Sequence, residues 1–85
     1  MKKAIIVGAS SGIGEEMAKQ LSEKGYQLGL MARRIELLNT LNDELGGKHV
    51  VMQIDLQNFD DAENKMKTMI SELKDVDIII LNSGI

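Results

Sequence analysis

The chain has 85 residues, of which 44% are apolar and 27% charged, and this balance favours a soluble globular protein over an intrinsically disordered or membrane-spanning one. Its longest strictly apolar runs have four residues, too few for a membrane-spanning helix, and its net charge of −3 with only two aromatic residues argues against nucleic-acid binding. The absence of cysteine excludes disulfides and thiolate metal sites, so we expect no metal and a location in the reducing cytoplasm.

Four short apolar runs alternate with longer segments of helical period, and we predict the runs as strands over residues 3–7, 27–32, 49–54 and 77–81. This alternation is typical of βαβ units around a parallel sheet with helices on both faces. Right-handed crossovers then predict a doubly wound α/β fold of Rossmann type with strand order 3-2-1-4. Because the fourth strand would lie at an apolar open edge, we expect residues 1–85 to be an incomplete domain whose fifth and later strands are absent.

Three helices are predicted between the strands. The first covers about 12–24 and ends at Gly25, the second ends before Gly46, and the third begins after Asn58, a good N-cap residue. The apolar positions that we expect to be buried are Ile13, Met17, Ala18 and Leu21 in the first helix, Ile35, Leu38, Leu41 and Leu45 in the second, and Phe59, Ala62, Met66, Ile70 and Leu73 in the third.

A glycine-rich segment, residues 8–14, lies where the first strand turns into the first helix. In this fold Gly8 would form the tight turn, Gly12 would let the backbone approach a diphosphate, and Gly14 would let the helix pack closely on the strand. The alternative is that these glycines only build a turn. The strand before the segment, the helix after it and the second strand end about 20 residues later favour dinucleotide binding.

The helix that starts at this segment would bind the diphosphate through its free N–H groups and its partial positive charge. Ser10 and Ser11 would add hydroxyl donors, and Ile13 lies within the same binding segment. The segment is not a Walker A loop, because that loop requires lysine after its last glycine and here Glu15 follows Gly14.

The second strand ends in Met31 and Ala32, followed by Arg33 and Arg34, where an acidic residue would accept hydrogen bonds from an adenosine ribose. Two guanidiniums in place of a carboxylate favour the 2′-phosphate of NADP(H) over NAD(H). The alternative is a solvated charge pair at the start of a helix, where arginine is poorly placed relative to the helix dipole.

The spacing of Gly8, Gly12 and Gly14 resembles that of the short-chain dehydrogenase/reductase family, and the resemblance covers the whole chain. Residues 55–56 are similar to the family's aspartate position that contacts the adenine, and residues 81–84 are similar to its Asn-Asn-Ala-Gly segment. Asp55 has an alternative role as a cap of the turn after the third strand. The resemblance implies cofactor-binding positions at Asp55, Leu56, Asn82, Ser83 and Gly84.

Three positions depart from the family pattern: Leu81 replaces the first asparagine, Ser83 replaces the alanine, and Val7 stands where a threonine often precedes the first glycine. The family's catalytic serine and Tyr-x-x-x-Lys pair lie downstream of these 85 residues, so we expect no catalytic residue here. Tyr26 is interpreted as a packing residue, and His49 as structural or solvated. A truncated chain, a proteolytic fragment and a complete short product are all compatible with this sequence.

The resemblance implies an NADP(H)-dependent oxidoreductase that transfers hydride between the nicotinamide and a carbonyl or alcohol, with a homo-oligomeric parent protein. One alternative is a sensor or regulatory module that binds NADP(H) without turnover, because the same half-fold would serve it. A methyltransferase is a third possibility. Such folds generally have an acidic residue at the end of the second strand, where this chain has Ala32.

Overall fold

The computed structural model describes residues 1–82. Within this range the chain forms four strands and three helices, which alternate along the sequence as a βαβ pattern requires. In chain order they are β1 (Lys3–Val7), α1 (Gly12–Glu23), β2 (Gln27–Ala32), α2 (Ile35–Glu44), β3 (Val50–Gln53), α3 (Phe59–Leu73) and β4 (Ile78–Leu81). None of these helices is both long and apolar enough to cross a membrane.

The strands form one parallel sheet with the order β3-β2-β1-β4, which confirms the predicted α/β fold class and topology. In the register of the sheet, Ala4 of β1 pairs with Leu28 of β2 on one side and with Ile78 of β4 on the other. Since all four strands run in the same direction, their carboxyl ends meet at one edge of the sheet. The loops that follow the strands are therefore brought together at that edge.

Two apolar clusters cover the two faces of the sheet. Successive side chains of a strand point to opposite faces, so Ala4 and Ile6 belong to one cluster and Ile5 and Val7 to the other. The first cluster includes residues of α1 and α2, and the second includes residues of α3. β1 and β2 are almost fully buried between these layers, whereas β3 is half-buried and β4 is largely exposed.

Three helix positions were predicted wrongly as buried. The side chains of Ile13 and Phe59 are 71% and 85% exposed. Both lie in the first turn of a helix that follows a parallel strand, and this turn projects beyond the carboxyl edge of the sheet. In α3 the buried position is Met69, while its neighbour Ile70 is 41% exposed, because one residue rotates the side chain by about 100° around the helix axis.

Gly29 explains why α3 packs closely on β2. A Cβ atom at Gly29 would lie 2.7 Å from Met69 Sδ and 2.9 Å from Leu73 Cδ1. Without a side chain at this position, the buried side of α3 rests directly on the strand backbone. Four of the other predicted helix positions are buried as expected, namely Ala18, Leu38, Leu41 and Leu73. The rest are partly buried, namely Met17, Leu21, Ile35, Leu45, Ala62 and Met66.

His49 is a structural residue that joins three elements. Its Nδ1 accepts a hydrogen bond from the N–H of Leu28 at 3.1 Å, and its Nε2 lies 3.1 Å from Ser22 Oγ. Its backbone N–H and C=O are paired with the side-chain amide of Asn42 at 3.0 and 3.2 Å. Because a backbone N–H can only donate, Nδ1 must be unprotonated and Nε2 must carry the proton. Burial lowers the pKa of His49 below 6.5, and the nearby charge of Lys48 lowers it further.

Candidate functional site

A cleft of about 530 Å³ opens at the carboxyl edge of the sheet. Its volume lies within the range of small-molecule sites, about 300–1,000 Å³. The cleft combines the ends of β1 and β2, the glycine-rich loop, the start of α2 and the segment after β3. Its lining residues are Val7, Gly8, Ser10, Ser11, Ala32, Arg33, Arg34, Leu37, Ile54 and Leu56.

The glycine-rich loop is held in place at its first residue. Gly8 has a positive φ of 87°, and a Cβ atom there would lie only 1.7 Å from the backbone oxygen of Asn82. The N–H groups of Gly8 and Ala9 both donate to the Met31 carbonyl, at 2.7 and 3.2 Å. Asn82 closes the other side, since its side-chain Nδ2 donates to the Gly8 carbonyl at 3.2 Å. The loop is therefore fixed between the ends of β2 and β4.

The loop leads into α1 through two further glycines with different physical requirements. A Cβ atom at Gly14 would lie 2.1 Å from the Gly8 carbonyl oxygen, so close packing of the helix on the loop requires glycine there. Gly12 has a φ of 57° and open space around the position of a Cβ atom. The N-cap residue Ser11 makes no side-chain capping bond, so its hydroxyl leaves the first N–H groups of α1 uncapped. A helix end of this kind attracts an anion.

Two arginines supply the charge of the cleft. Arg33 and Arg34 follow β2 directly, and both are exposed. In the described part of the chain neither guanidinium forms an ion pair with a carboxylate. They are also the only charged side chains that line the cleft among residues 1–82. The cleft is consequently positive although the whole chain carries a net charge of −3.

The segment after β3 separates two grooves. Leu56 lies on the wall of the cleft, whereas Asp55 borders a neighbouring polar groove of about 440 Å³ that also includes Arg33. The carboxylate of Asp55 accepts a hydrogen bond from the N–H of Gln57 at 3.0 Å, and this bond caps the turn as the alternative interpretation of Asp55 required. The adenine contact of Asp55 stays a prediction.

The structure brings together most of the residues singled out from the sequence. Six of them line the cleft, three form the start of α1 behind it, Asp55 lies in the neighbouring groove, and Asn82 supports the loop. Ser83 and Gly84 lie outside the described residues. The six in the cleft are Gly8, Ser10, Ser11, Arg33, Arg34 and Leu56, and the three at the helix start are Gly12, Ile13 and Gly14.

Sequence reasoning missed the apolar wall of the cleft. Val7 and Ala32 end β1 and β2, and Ile54 directly follows β3, so the rule that carboxyl ends of parallel strands form the site would have found all three. Leu37 comes from the first turn of α2 and has no comparable pattern in the sequence. No group of three or more acidic, histidine or cysteine side chains within residues 1–82 is placed to bind a metal ion.

Comparisons with known proteins agree with this geometry. The family model described as short chain dehydrogenase matches residues 2–85. Nodulation protein G of Rhizobium sp. (strain N33) is 38% identical over 84 residues, which are 99% of this chain and 34% of that protein. An NADP-dependent 3-hydroxy acid dehydrogenase of Salmonella typhi is 32% identical over 81 residues, which are 95% of this chain and 33% of that protein.

A comparison with a solved structure shows that the backbone fold is also similar. The alcohol dehydrogenase from the archaeon Thermococcus sibiricus, complexed with 5-hydroxy-NADP, superposes with a TM-score of 0.87 and 34% sequence identity. The match covers 93% of this chain and 35% of that one. The chain spans about a third of the length of each of these three proteins.

Proposed function

The chain belongs to the short-chain dehydrogenase family, and on that premise we propose that residues 1–85 are the N-terminal part of an NADP(H)-binding domain. In this proposal the whole protein is an oxidoreductase that transfers hydride between the nicotinamide and a carbonyl or alcohol substrate. The residues in this chain bind and orient the cofactor, and the chemistry is supplied by the nicotinamide. The cytoplasmic location and the homo-oligomeric state of the whole protein stay predictions.

One observation carries the proposal: a single cleft joins an uncapped helix N-terminus to two unpaired guanidiniums, with no carboxylate on its lining within residues 1–82. A dinucleotide with a 2′-phosphate offers anionic groups to both ends of such a cleft. Phosphates are strongly bound by helix N–H groups and by arginine, which can donate two parallel hydrogen bonds. The apolar lining between the two ends fits a base and a ribose.

We assign the roles as follows. The N–H groups at the start of α1, with the hydroxyls of Ser10 and Ser11, bind the pyrophosphate. Arg33 and Arg34 bind the 2′-phosphate of the adenosine. Asp55 and Leu56 contact the adenine, and Asn82, Ser83 and Gly84 lie beside the ribose. Gly12 lets the backbone approach the phosphates, Ile13 belongs to the same binding segment, and Gly14 lets the helix pack closely behind it. Support for a phosphorylated nicotinamide cofactor also comes from the printed descriptions of an NADP-dependent relative and of a structure with 5-hydroxy-NADP.

The 2′-phosphate assignment is tested by Arg33→Ala in the full-length protein. We expect NADPH binding to weaken about tenfold to a hundredfold, the loss of one or two charge-assisted hydrogen bonds, while NADH binding changes little. Lys19→Ala is the control, because Lys19 is an exposed cation of α1 outside the cleft and its loss changes the net charge equally. Equal losses for both cofactors would contradict the assignment.

Turnover separates the proposed oxidoreductase from its alternatives. Oxidation of NADPH in the presence of carbonyl compounds, followed by absorbance, is expected for the full-length protein. NADPH binding without any turnover would favour the sensor or regulatory module. Binding of S-adenosylmethionine in preference to NADPH would favour a methyltransferase.

A further inference from the structure

The pairing of β2 with β3 continues beyond the two strands through a side chain. The last backbone pair of the ladder is Ala32 with Gln53, and the N–H of Ile54 donates to the Ala32 carbonyl at 2.9 Å. One residue beyond the end of β2, the side-chain amide of Gln53 donates to the Arg33 carbonyl at 2.9 Å. A side chain thus adds a hydrogen bond between the two chain segments beyond the end of the ladder, and this bond is made to the peptide of the first cleft arginine.

Gln53 is itself fixed from α3. The ammonium group of Lys65 donates to the Gln53 carbonyl at 3.0 Å, and the same group lies 3.6 Å from a carboxylate oxygen of Asp61. The second carboxylate oxygen of Asp61 accepts from the N–H of Asp55 at 3.2 Å. These contacts connect α3, the end of β3 and the end of β2 across the groove that adjoins the cleft.

Arg33 has few other restraints. Its side chain is exposed, borders both grooves and forms no ion pair with any carboxylate in residues 1–82. Because backbone dihedrals limit the rotamers that a side chain can adopt, the Gln53 bond to the Arg33 carbonyl restricts the directions open to this guanidinium. Arg34, the N-cap of α2, is placed by the start of a helix instead.

We propose that Gln53 is a positioning residue for cofactor specificity: its amide holds the Arg33 peptide so that the guanidinium is oriented toward the 2′-phosphate. The inference rests on the proposed function and names a determinant of its specificity outside the binding cleft. Restraining a binding group in advance lowers the entropy lost when the ligand binds. Loss of the restraint should weaken only the ligand that Arg33 contacts, by about twofold to tenfold.

The test compares NADPH and NADH binding to the full-length protein and to Gln53→Leu, which keeps the side-chain volume and removes the amide. We expect the preference for NADPH, expressed as the ratio of the two Kd values, to fall about twofold to tenfold, with NADH affinity unchanged. Gln57→Leu is the matched control. The Gln57 side chain is exposed, lines neither groove and forms no hydrogen bond within the described part of the chain.

A double-mutant cycle checks that Gln53 acts through Arg33. In an Arg33→Ala background, Gln53→Leu should produce no further change in the NADPH preference. Additive losses, or an unchanged preference in Gln53→Leu, would overturn the inference while leaving the proposed function intact. An equal weakening of NADPH and NADH would also overturn it, because that result indicates a general structural role. If the unsubstituted protein showed no preference for NADPH, the 2′-phosphate assignment itself would fail.

Discussion

His49 shows how one side chain replaces backbone pairing at the start of a strand. It lies just before β3, and its ring accepts from the N–H of Leu28, a backbone group that would otherwise be buried without a partner. A protonated ring would bring a second N–H against this donor. The low pKa that burial causes is therefore consistent with the hydrogen bonds of the neutral ring.

The stability of the protein should depend on pH through His49. The pKa is lowered in the folded state, so the unfolded chain takes up a proton first as the pH falls below 6.5. The contribution of this residue is fully present above 6.5 and is lost as the pH falls toward the lower, folded pKa, by at most about 1.4 kcal/mol per pH unit. Urea unfolding of wild type and His49→Gln at a series of pH values measures this difference. Parallel pH profiles for the two proteins would show that His49 does not contribute.

Gly14 and Gly12 differ in the reason that each is glycine, and their alanine variants should differ accordingly. Gly14→Ala places a Cβ atom against the Gly8 carbonyl, so we expect a loss of about 3 kcal/mol of stability. Gly12→Ala meets open space and only the strain of its positive φ, about 1 kcal/mol. Thermal or urea unfolding of the two variants makes the comparison. A larger loss in Gly12→Ala would contradict the packing role of Gly14.

At the scale of the element, the start of α3 shows how a side-chain cap and acidic residues together stabilise a helix N-terminus. The Asn58 side chain accepts a hydrogen bond from the N–H of Asp61 at 3.1 Å, as the sequence predicted for an N-cap residue. The negative charges of Asp60 and Asp61 in the first turn interact favourably with the positive end of the helix dipole. The N-terminus of α3 is thus capped by a side chain of the chain itself, whereas the N-terminus of α1 has no side-chain cap.

Removal of the cap should destabilise the fold modestly. Asn58→Ala loses the bond to the N–H of Asp61, and we expect a loss of about 1 kcal/mol in the free energy of unfolding. Asn64→Ala in the middle of the same helix is the control, because alanine is the better helix former there and the stability should not fall. Equal losses in both variants would show that the cap contributes nothing beyond ordinary side-chain effects.

At the scale of the whole molecule, β4 is an exposed edge of the sheet formed by the described residues. Ile78, Ile79 and Leu81 are exposed on the strand at one edge of the sheet described here. An apolar edge strand with unpaired backbone groups is a template for pairing with another strand. We expect the isolated polypeptide of residues 1–85 to associate through this edge in solution.

A charge on β4 should reduce this association. We expect Ile79→Lys to lower the average mass of the isolated polypeptide, measured by analytical ultracentrifugation over a range of concentrations. Phe59→Lys serves as the control, since Phe59 is more exposed than Ile79 and lies outside β4. If the control reduced association as much as Ile79→Lys, general apolar exposure rather than the edge strand would be responsible.

The sequence by itself determined the class and order of the elements and the positions of the glycine loop and the arginines. These features depend on local periodicity and on short motifs within one loop or helix, so β1 and β2 were predicted with their observed bounds. The same locality explains the errors at Ile13 and Phe59. Their helical period matches a buried stripe, and only their place beyond the sheet edge exposes them.

The tertiary structure alone decided which side chains hold the cleft residues in place. Asn82 lies 74 residues from Gly8, and Gln53 lies 20 residues from Arg33, yet each holds its partner by a hydrogen bond. No local pattern encodes such pairs, because they form only when parallel strands bring their carboxyl ends together. The placement of Asp55 was likewise decided in three dimensions, where its carboxylate caps the turn after β3 and borders the neighbouring groove, while Leu56 lines the cleft.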